Sequence, residues 1–411
     1  MSEKLANFRM GRGEFVALIA MMFATIAFSL DAMLPALPDI AAELSPELAN
    51  RAPLILTAFV FGMGVGTFIA GPLSDAFGRR RVIFFSAILY TASAALAYVS
   101  WSLEVLLIAR VLQGLGASGP RIVAVAIVRD LFSGREMAKI VSLVMLIFTL
   151  VPAFAPLMGM VIINVSGWRG IFMAFIVFST VTVLWMGLRL PETLAVEDRR
   201  PLRWKLMFAA VGEMFSNRTV MLSIFVQTLA MAMLFTTLML VQPIYEQVYN
   251  RAESFPYWFG AVAVVAGTSS LLNARLVVQF GMRHMVTSML GWQVFITALM
   301  LIFNLGDLAR PYGFGAFVFW QTCLFFQAGL TLGNLNAIAM EPMGHIAGMA
   351  ASIIGALATV MAAAIASPVG LFFDGTIIPL MVAVLVMAAV GFGLMILMGA
   401  ESEETQPEAA E

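Results

Sequence analysis

Twelve long apolar runs recur along this 411-residue chain at intervals of about 25 to 35 residues. Each is long enough to cross a hydrocarbon core of roughly 30 Å at a helical rise of 1.5 Å per residue. The chain is 61% hydrophobic and 11% charged, with a mean hydropathy of +0.96, a composition that no soluble domain requires. The expected fold class is an all-α membrane protein of twelve transmembrane helices. The first run, from about Glu14, is too long for a signal-peptide core and has no small-residue cleavage site, so it reads as a retained span.

Spans are expected at about residues 14–38, 52–74, 82–100, 103–129, 138–164 and 170–190, and again at 218–246, 255–280, 284–304, 313–339, 345–373 and 376–399. Pro35 and Pro38 should terminate or kink the first of them. Gly62, Gly64 and Gly66 in the second allow close helix approach. The longest connection, 191–217, is basic, and its segment from Pro201 to Phe208 could lie in the interface as an amphipathic helix. It divides the chain into an N-terminal bundle, 1–190, and a C-terminal bundle with an acidic tail, 218–411.

Lysines and arginines fix the orientation. On this layout sixteen lie on the inner side, including Lys4, Arg9 and Arg12 of the basic N-terminal tail. Four lie outside (Arg51, Arg169, Arg251, Arg310) and three within spans (Arg110, Arg121, Arg275), which accounts for all 23. Both termini are therefore expected in the cytoplasm.

The connection Gly71 to Val82 reads Gly-Pro-Leu-Ser-Asp-Ala-Phe-Gly-Arg-Arg-Arg-Val. Gly71 and Pro72 should break the preceding helix, Gly78 can supply a positive-φ turn, and Arg79, Arg80 and Arg81 fit the inner side. A plain positive-inside anchor is the simplest reading. A conformational latch is the other: Asp75 with Arg79 bonds Asp130 at the end of span 4 and points at the start of span 11 near Gly344 and His345, where the helix dipole favours an anion. A worn echo of this loop, Asn273 to Arg283, occupies the equivalent place in the second half. Two similar bundles joined by a long inner loop suit a rocker-type secondary transporter with its substrate site between the halves near midplane.

Ionisable side chains inside spans cost roughly 2.5–3.5 kcal/mol on insertion scales, so each needs a reason. Asp31 and Arg110 fall at similar depth in spans 1 and 4 and could pair directly or through water. Asp31 is the candidate proton carrier, unless its carboxylate merely reaches outer-face water. Arg110 is a candidate for coupling or for a structural cation that bonds facing carbonyls. Arg121, eleven residues on, shares its helix face and either acts with it or snorkels inward. Arg275 is expected to snorkel and Glu246 to be wet. In span 5, Pro152, Pro156 and Gly159 line one face, either as a smooth surface on which another helix packs or as an ordinary kink. Among the 30 methionines and 33 phenylalanines, most should face lipid or neighbouring helices, although a flexible Met and aromatic lining also suits varied apolar ligands.

Other chemistries find no support. The lysines follow no phosphate-loop pattern, a single cysteine, Cys323, excludes an internal disulfide, and the histidines are only His284 and His345. No metal cluster, cofactor site, catalytic triad or nucleic-acid patch is visible, so an enzyme is not expected.

The loop Gly-x-Leu-Ser-Asp-x-x-Gly-Arg-Arg resembles the signature between spans 2 and 3 of major facilitator superfamily transporters. With Leu34-Pro-Ala-Leu-Pro-Asp-Ile, Arg110-Val-Leu-Gln-Gly-Leu-Gly-Ala, Ala-Ile-Val-Arg-Asp130, Ala155-Pro-Leu-Met-Gly159, Gly167-Trp-Arg, the segment from Met343 and Phe373-Asp-Gly-Thr, nearly the whole chain is similar to the bicyclomycin and chloramphenicol resistance branch of drug:proton antiporters. That resemblance implies a major facilitator fold of two pseudo-symmetric six-helix halves. It also implies proton coupling and drug recognition at Asp31 and Arg110, and an antiporter motif at Pro152, Pro156 and Gly159. Two positions depart from the pattern: Ala76 replaces a basic residue after Asp75, and Met160 replaces a second glycine.

The expected function is export of small amphipathic drugs in exchange for protons by a monomer in a bacterial-type inner membrane. The alternatives are a proton-coupled exporter or symporter of a native metabolite such as an amino acid or sugar, and a transporter-like sensor or scaffold.

Overall fold

In the computed structural model the described residues are 10–199, 201, 202, 204–305 and 313–404. The expectations about Lys4, Arg9, Arg200, Arg203, Arg310 and the acidic tail past Glu404 fall outside them. The described residues are almost entirely helical, contain no strand, and include twelve helices long and apolar enough to cross a membrane. They form two compact units. Unit 1 runs through Trp204 and takes in Glu253–Gly260, and unit 2 comprises Lys205–Ala252 and the chain from Ala261 onward.

Unit 1 contains α1 (Arg12–Asp31), α2 (Leu37–Leu44), α3 (Leu54–Phe77), α4 (Arg79–Tyr98), α5 (Leu103–Leu131), α6 (Gly134–Ser166) and α7 (Arg169–Arg189). Within it, α5 packs on α3 and α4, α1 on α6, and α4 on α7. Lipid is as apolar as leucine, so these contacts depend on close van der Waals fit rather than on escape from water. Gly62 and Gly114 show how that fit is reached: a Cβ built on Gly62 falls 1.9 Å from the Val111 carbonyl oxygen, and one on Gly114 falls 1.9 Å from that of Phe59. Only glycine lets the backbones of α3 and α5 come so near. Apolar side chains such as Phe15, Leu18, Ile83, Ile127, Val144 and Met186 fill one core of this unit, while Phe85, Ile88, Val165 and Leu188 stay exposed on span surfaces, where lipid would meet them.

Two helix boundaries differ from expectation. The first helix ends at Asp31, before either proline, and a short 3-10 turn (Leu34–Ala36) leads into α2, which runs on to Leu44. Pro35 and Pro38 sit in the first turns of these new elements, where a missing N–H costs nothing. Gly71-Pro72 does not break α3 either, which continues to Phe77. A residue before proline is normally barred from the helical region partly by its Cβ. Gly71 has none. The turn falls instead on Gly78, at φ 98°.

Unit 2 contains α8 (Trp204–Ser216) in the long connection and then α9 (Arg218–Pro243), which passes into a π-helical turn (Ile244–Val248). Next come α10 (Phe255–Phe280, its first turns in unit 1), α11 (Met282–Leu305), α12 (Gly313–Met340), α13 (Ala347–Leu371) and α14 (Ile378–Glu404). In α8 the residues Met207, Ala210 and Met214 are buried and Phe208 and Phe215 exposed. α9 packs on α12, α13 and α14, and α11 on α12 and α14. The echo of the signature loop has a counterpart here: Gly281, at φ 77°, joins α10 to α11 as Gly78 joins α3 to α4.

Candidate functional site

The polar centre of unit 1 is built around Arg110. It lies mid-way along the first half of α5 and is fully buried. Because Gly62 and Gly114 draw α3 against α5, the guanidinium reaches backbone atoms on two other helices. Nε donates to the Ile55 carbonyl at 3.2 Å, one Nη donates to the Ser29 carbonyl at 2.9 Å, and the other donates to Gln113 Oε1 at 2.7 Å. Its plane also rests over the Phe59 ring, 4.4 Å from the centroid. A buried guanidinium needs several acceptors and a π face to replace water, and it has both. Ser29 also accepts from Tyr90: the two hydroxyl oxygens are 2.6 Å apart, and Ser29 itself donates to the Thr25 carbonyl at 2.6 Å. α1, α3, α4 and α5 thus meet at one bonded set.

Asp31 closes α1 two residues after Ser29 and is 6% exposed. It forms no direct ion pair with Arg110; of the readings open to that arginine, the bonds fit the cation that facing carbonyls hold. The carbonyls of Ser29 and Ile55 hold the guanidinium instead, because α1 ends here and presents its terminal backbone to α5. No described residue hydrogen-bonds the Asp31 carboxylate, which leaves it available to a proton or a ligand.

Pro152, Pro156 and Gly159 all lie inside α6. A Cβ on Gly159 falls 2.2 Å from the carbonyl oxygen of Ala32, the residue after Asp31. The small face of α6 therefore seats the end of α1 directly. Arg121, three turns along α5 from Arg110, is half-buried and bonds no described residue.

The second constellation sits at the Gly78 end of unit 1. Arg79 is 3% exposed and bridges two carboxylates: Asp75, one turn back on α3, and Asp130 at the end of α5, with Nε to Oδ2 at 3.0 Å. It also donates to Ser74 Oγ at 2.8 Å, and Ser74 donates to the carbonyl of Gly71. Sequence reasoning missed two members of this set. Glu192 accepts from the backbone N–H of Arg79 at 2.9 Å and of Arg80 at 3.1 Å, capping α4 from the connection after α7, and Thr193 donates to Asp130 at 3.0 Å. A Cβ on Gly78 would fall 2.7 Å from Glu192 Oε2, so the glycine serves both its φ and this approach. Arg80 donates to the Gly187 carbonyl and lies over Phe84. The signal was present in the acidic residue of Pro191-Glu-Thr, but nothing in sequence spacing assigned it to a helix 113 residues away.

In unit 2, His345 Nε2 lies 2.8 Å from Glu213 Oε1, a contact that links α8 to the turn before α13. Glu246 is half-buried and accepts from Gln242 at 3.0 Å. Among the described residues, buried polar groups in the unit 2 spans are otherwise neutral. Tyr245 donates to Gln321 Oε1 at 3.1 Å, Gln327 donates to Thr331 at 3.0 Å, and Asn273 and Asn334 exchange amide bonds.

Comparison with known proteins bears on this arrangement. The Major Facilitator Superfamily profile matches residues 17–367. An uncharacterized MFS-type transporter of Bacillus subtilis is 29% identical over 92% of this chain and 94% of its own. A bicyclomycin resistance protein homolog of Haemophilus influenzae is 28% identical over 84% and 85%, and a chloramphenicol resistance protein of Pseudomonas aeruginosa is 35% identical over 42% and 41%. Among solved structures, a D-xylose-proton symporter superposes with a TM-score of 0.72 at 14% identity, covering 93% of this chain and 97% of that one.

Proposed function

Because the chain belongs to the Major Facilitator Superfamily, we propose that it is a secondary transporter that exports small amphipathic drugs in exchange for protons. The observation that carries the proton half of this reading is Asp31: a buried carboxyl with no bonding partner among the described residues, one residue from the Gly159 contact and two from a carbonyl that Arg110 holds. The names of the relatives support the drug half. Substrate and proton compete for the Asp31 region. A proton taken up there from outside lets the carrier return, and its release inside readies the carboxylate for the next cycle. Arg110 positions rather than carries: its three bonds fix the end of α1 and hence where Asp31 stands.

The two bundles, 1–190 and 218–411, act as the moving halves, with 191–217 between them. Arg79, Asp75 and Asp130 form a latch at the cytoplasmic face, and both termini lie on that side of a bacterial-type inner membrane. The working unit is a monomer. One proton moving down 100 mV supplies roughly 2.3 kcal/mol, enough for about a fortyfold drug gradient at 1.4 kcal/mol per tenfold.

The test uses acidified inverted vesicles and a panel of drugs, comparing the native chain with Asp31→Asn. Drug addition should alkalinise the lumen with the native chain, and Asp31→Asn should abolish that response. Uphill transport with its pH dependence intact in Asp31→Asn would refute the assignment. No response to any drug by folded, inserted protein would refute drug export and send the search to a native metabolite.

A further inference from the structure

Two segments that stand out in the sequence, Leu34-Pro-Ala-Leu-Pro-Asp-Ile and Gly167-Trp-Arg, have no part in the site described above. The structure joins them through Glu43, in the last turn of α2. Glu43 Oε2 accepts from the indole N–H of Trp168 at 2.7 Å, and its Oε1 accepts from the Arg169 guanidinium at 2.7 Å. That guanidinium lies over the Trp168 ring, 4.2 Å from the centroid, and donates a second bond to the Ser100 carbonyl just past α4 at 3.0 Å. Trp168 itself is buried, and it stands where Gly167, at φ 70°, turns α6 into α7.

The same device recurs at the other end of the span. Glu14, in the first turn of α1, accepts from Trp185 Nε1 at 3.2 Å and from Arg189 Nε and Nη2 at 2.7 and 2.8 Å. A carboxylate, an indole and a guanidinium thus tie each end of the first span to one end of α7. Between the two ties Phe28 packs edge-on against Phe175, with ring centroids 5.2 Å apart.

The two ties differ in what lies near them. Glu14 precedes Asp31 by about 25 Å of helix. Glu43 instead closes the segment that follows Asp31, and both ends of that segment rest on the hairpin of α6 and α7. The Ala32 carbonyl lies against Gly159, and the Glu43 carboxylate is held by Trp168 and Arg169. Between these contacts the 3-10 turn packs on α6, and Met33, Leu34, Ala36 and Leu37 are buried. No described residue bonds the Asp31 carboxylate, so its place is set through the backbone: by Arg110 on the Ser29 carbonyl before it, and by this pinned segment after it.

We propose that Glu43, Trp168 and Arg169 are positioning residues for proton exchange, which hold segment 32–43 so that Asp31 stands away from water on that side, whereas Glu14 with Trp185 and Arg189 fastens the same span without that effect. This rests on the reading of Asp31 as the proton carrier. The ionisable groups on the helices around Asp31 are Arg110 of α5, bonded to carbonyls, Arg121 three turns further along α5, and Tyr90 of α4, bonded to Ser29. Otherwise α3, α5, α6 and α7 carry charge only toward their ends, and α2 carries Asp39 and Glu43. Glu43 and Glu14 are partly exposed, with 47% and 26% of the side chain accessible. Ion pairs of that kind contribute little to stability, so variants at either tie should fold.

The experiment uses the full chain in proteoliposomes with the drug that drives the strongest exchange by the native chain, and reads proton exchange against pH together with thermal stability. Glu43→Gln keeps the size of the side chain and removes its charge. It should lower the pH of half-maximal exchange by about half a unit or more, since water reaching the Asp31 carboxyl favours its ionised form. Trp168→Phe, which removes one bond and no charge, should act in the same direction and serves if Glu43→Gln does not fold. Glu14→Gln, the same chemical change at the far tie, should leave the profile in place. An unshifted profile in either folded variant at the Glu43 end, or a shift as large in Glu14→Gln, would overturn the inference while leaving Asp31 as the proton carrier. Exchange that keeps its pH dependence in Asp31→Asn, or no exchange with any drug by the folded native chain, would remove the reading it rests on, and the inference with it.

Discussion

Gly114→Ala should damage the polar centre of unit 1 without touching a charged residue. The added Cβ would lie 1.9 Å from the Phe59 carbonyl oxygen, 2.8 Å from Met63 N and 2.9 Å from Phe59 C, all backbone atoms that cannot swing aside. Relief therefore requires α3 and α5 to part by more than about 1 Å, and overpacking of this kind costs about 1–3 kcal/mol. The separation also reaches Arg110, whose 3.2 Å bond to the Ile55 carbonyl, one turn from Phe59, is the longest of its three. Losing a hydrogen bond to a charged group adds about 1.5–3 kcal/mol, and replacing a helical glycine by alanine returns about 0.5–1 kcal/mol. The net loss is about 1.5–5.5 kcal/mol. The matched control is Gly355→Ala in α13, where an added Cβ meets nothing within 4 Å and stability should hold or rise by up to about 1 kcal/mol. Both can be measured by denaturant titration in mixed micelles, followed by circular dichroism. If Gly114→Ala proves as stable as the native chain while Gly355→Ala behaves as stated, close α3 and α5 packing is not what holds Arg110 in place.

Two further outcomes follow from the same geometry. Ser29→Ala should cost about 1–3 kcal/mol because it strands the buried Tyr90 hydroxyl, and the double variant Ser29→Ala with Tyr90→Phe should recover most of that loss in the same titration; a double variant no more stable than the single one would show that Ser29 acts through something other than this bond. Asp75→Asn removes one of the two carboxylates on Arg79, the one that is 42% exposed, so it should lower turnover while leaving equilibrium drug affinity near native. An affinity loss as large as the turnover loss would contradict a purely conformational role.

Hydropathy alone made the twelve spans legible, because twenty or so consecutive apolar residues have few other uses. The small-residue contacts were half legible: Gly62 and Gly66 stood out in α3 and Gly159 in span 5, but Gly114 becomes meaningful only once the Phe59 carbonyl it faces is known. Proline misled once. Pro35 lies in the 3-10 turn that interrupts the first span, as local sterics expect, but Pro72 follows a glycine that removes the clash and leaves α3 unbroken. The position of Arg110 was legible as an intramembrane charge, and facing carbonyls were one of the partners considered for it beside Asp31; backbone carbonyls carry no sequence signature, so those of Ser29 and Ile55 could not be named. Glu192 was missed for the opposite reason: it looked like one more loop carboxylate until α4 needed a cap.

These outcomes bear on why a duplicated scaffold should keep its packing and alter its chemistry. The positive-φ glycines at 78 and 281 turn the chain at corresponding places, between α3 and α4 and between α10 and α11. Contact geometry tolerates little change where backbone atoms fix the spacing, as at Gly62 and Gly114. A side chain such as the one at 110 or 321 is constrained only by what it bonds. In unit 1 position 110 bears a cation held by two carbonyls and a carboxamide, a stiff anchor beside Asp31. In unit 2 position 321 bears a carboxamide with one end held by Tyr245 and the other unpaired. On that argument, exchanging the chemistry at either place should alter what is carried or how it is coupled long before it alters the fold.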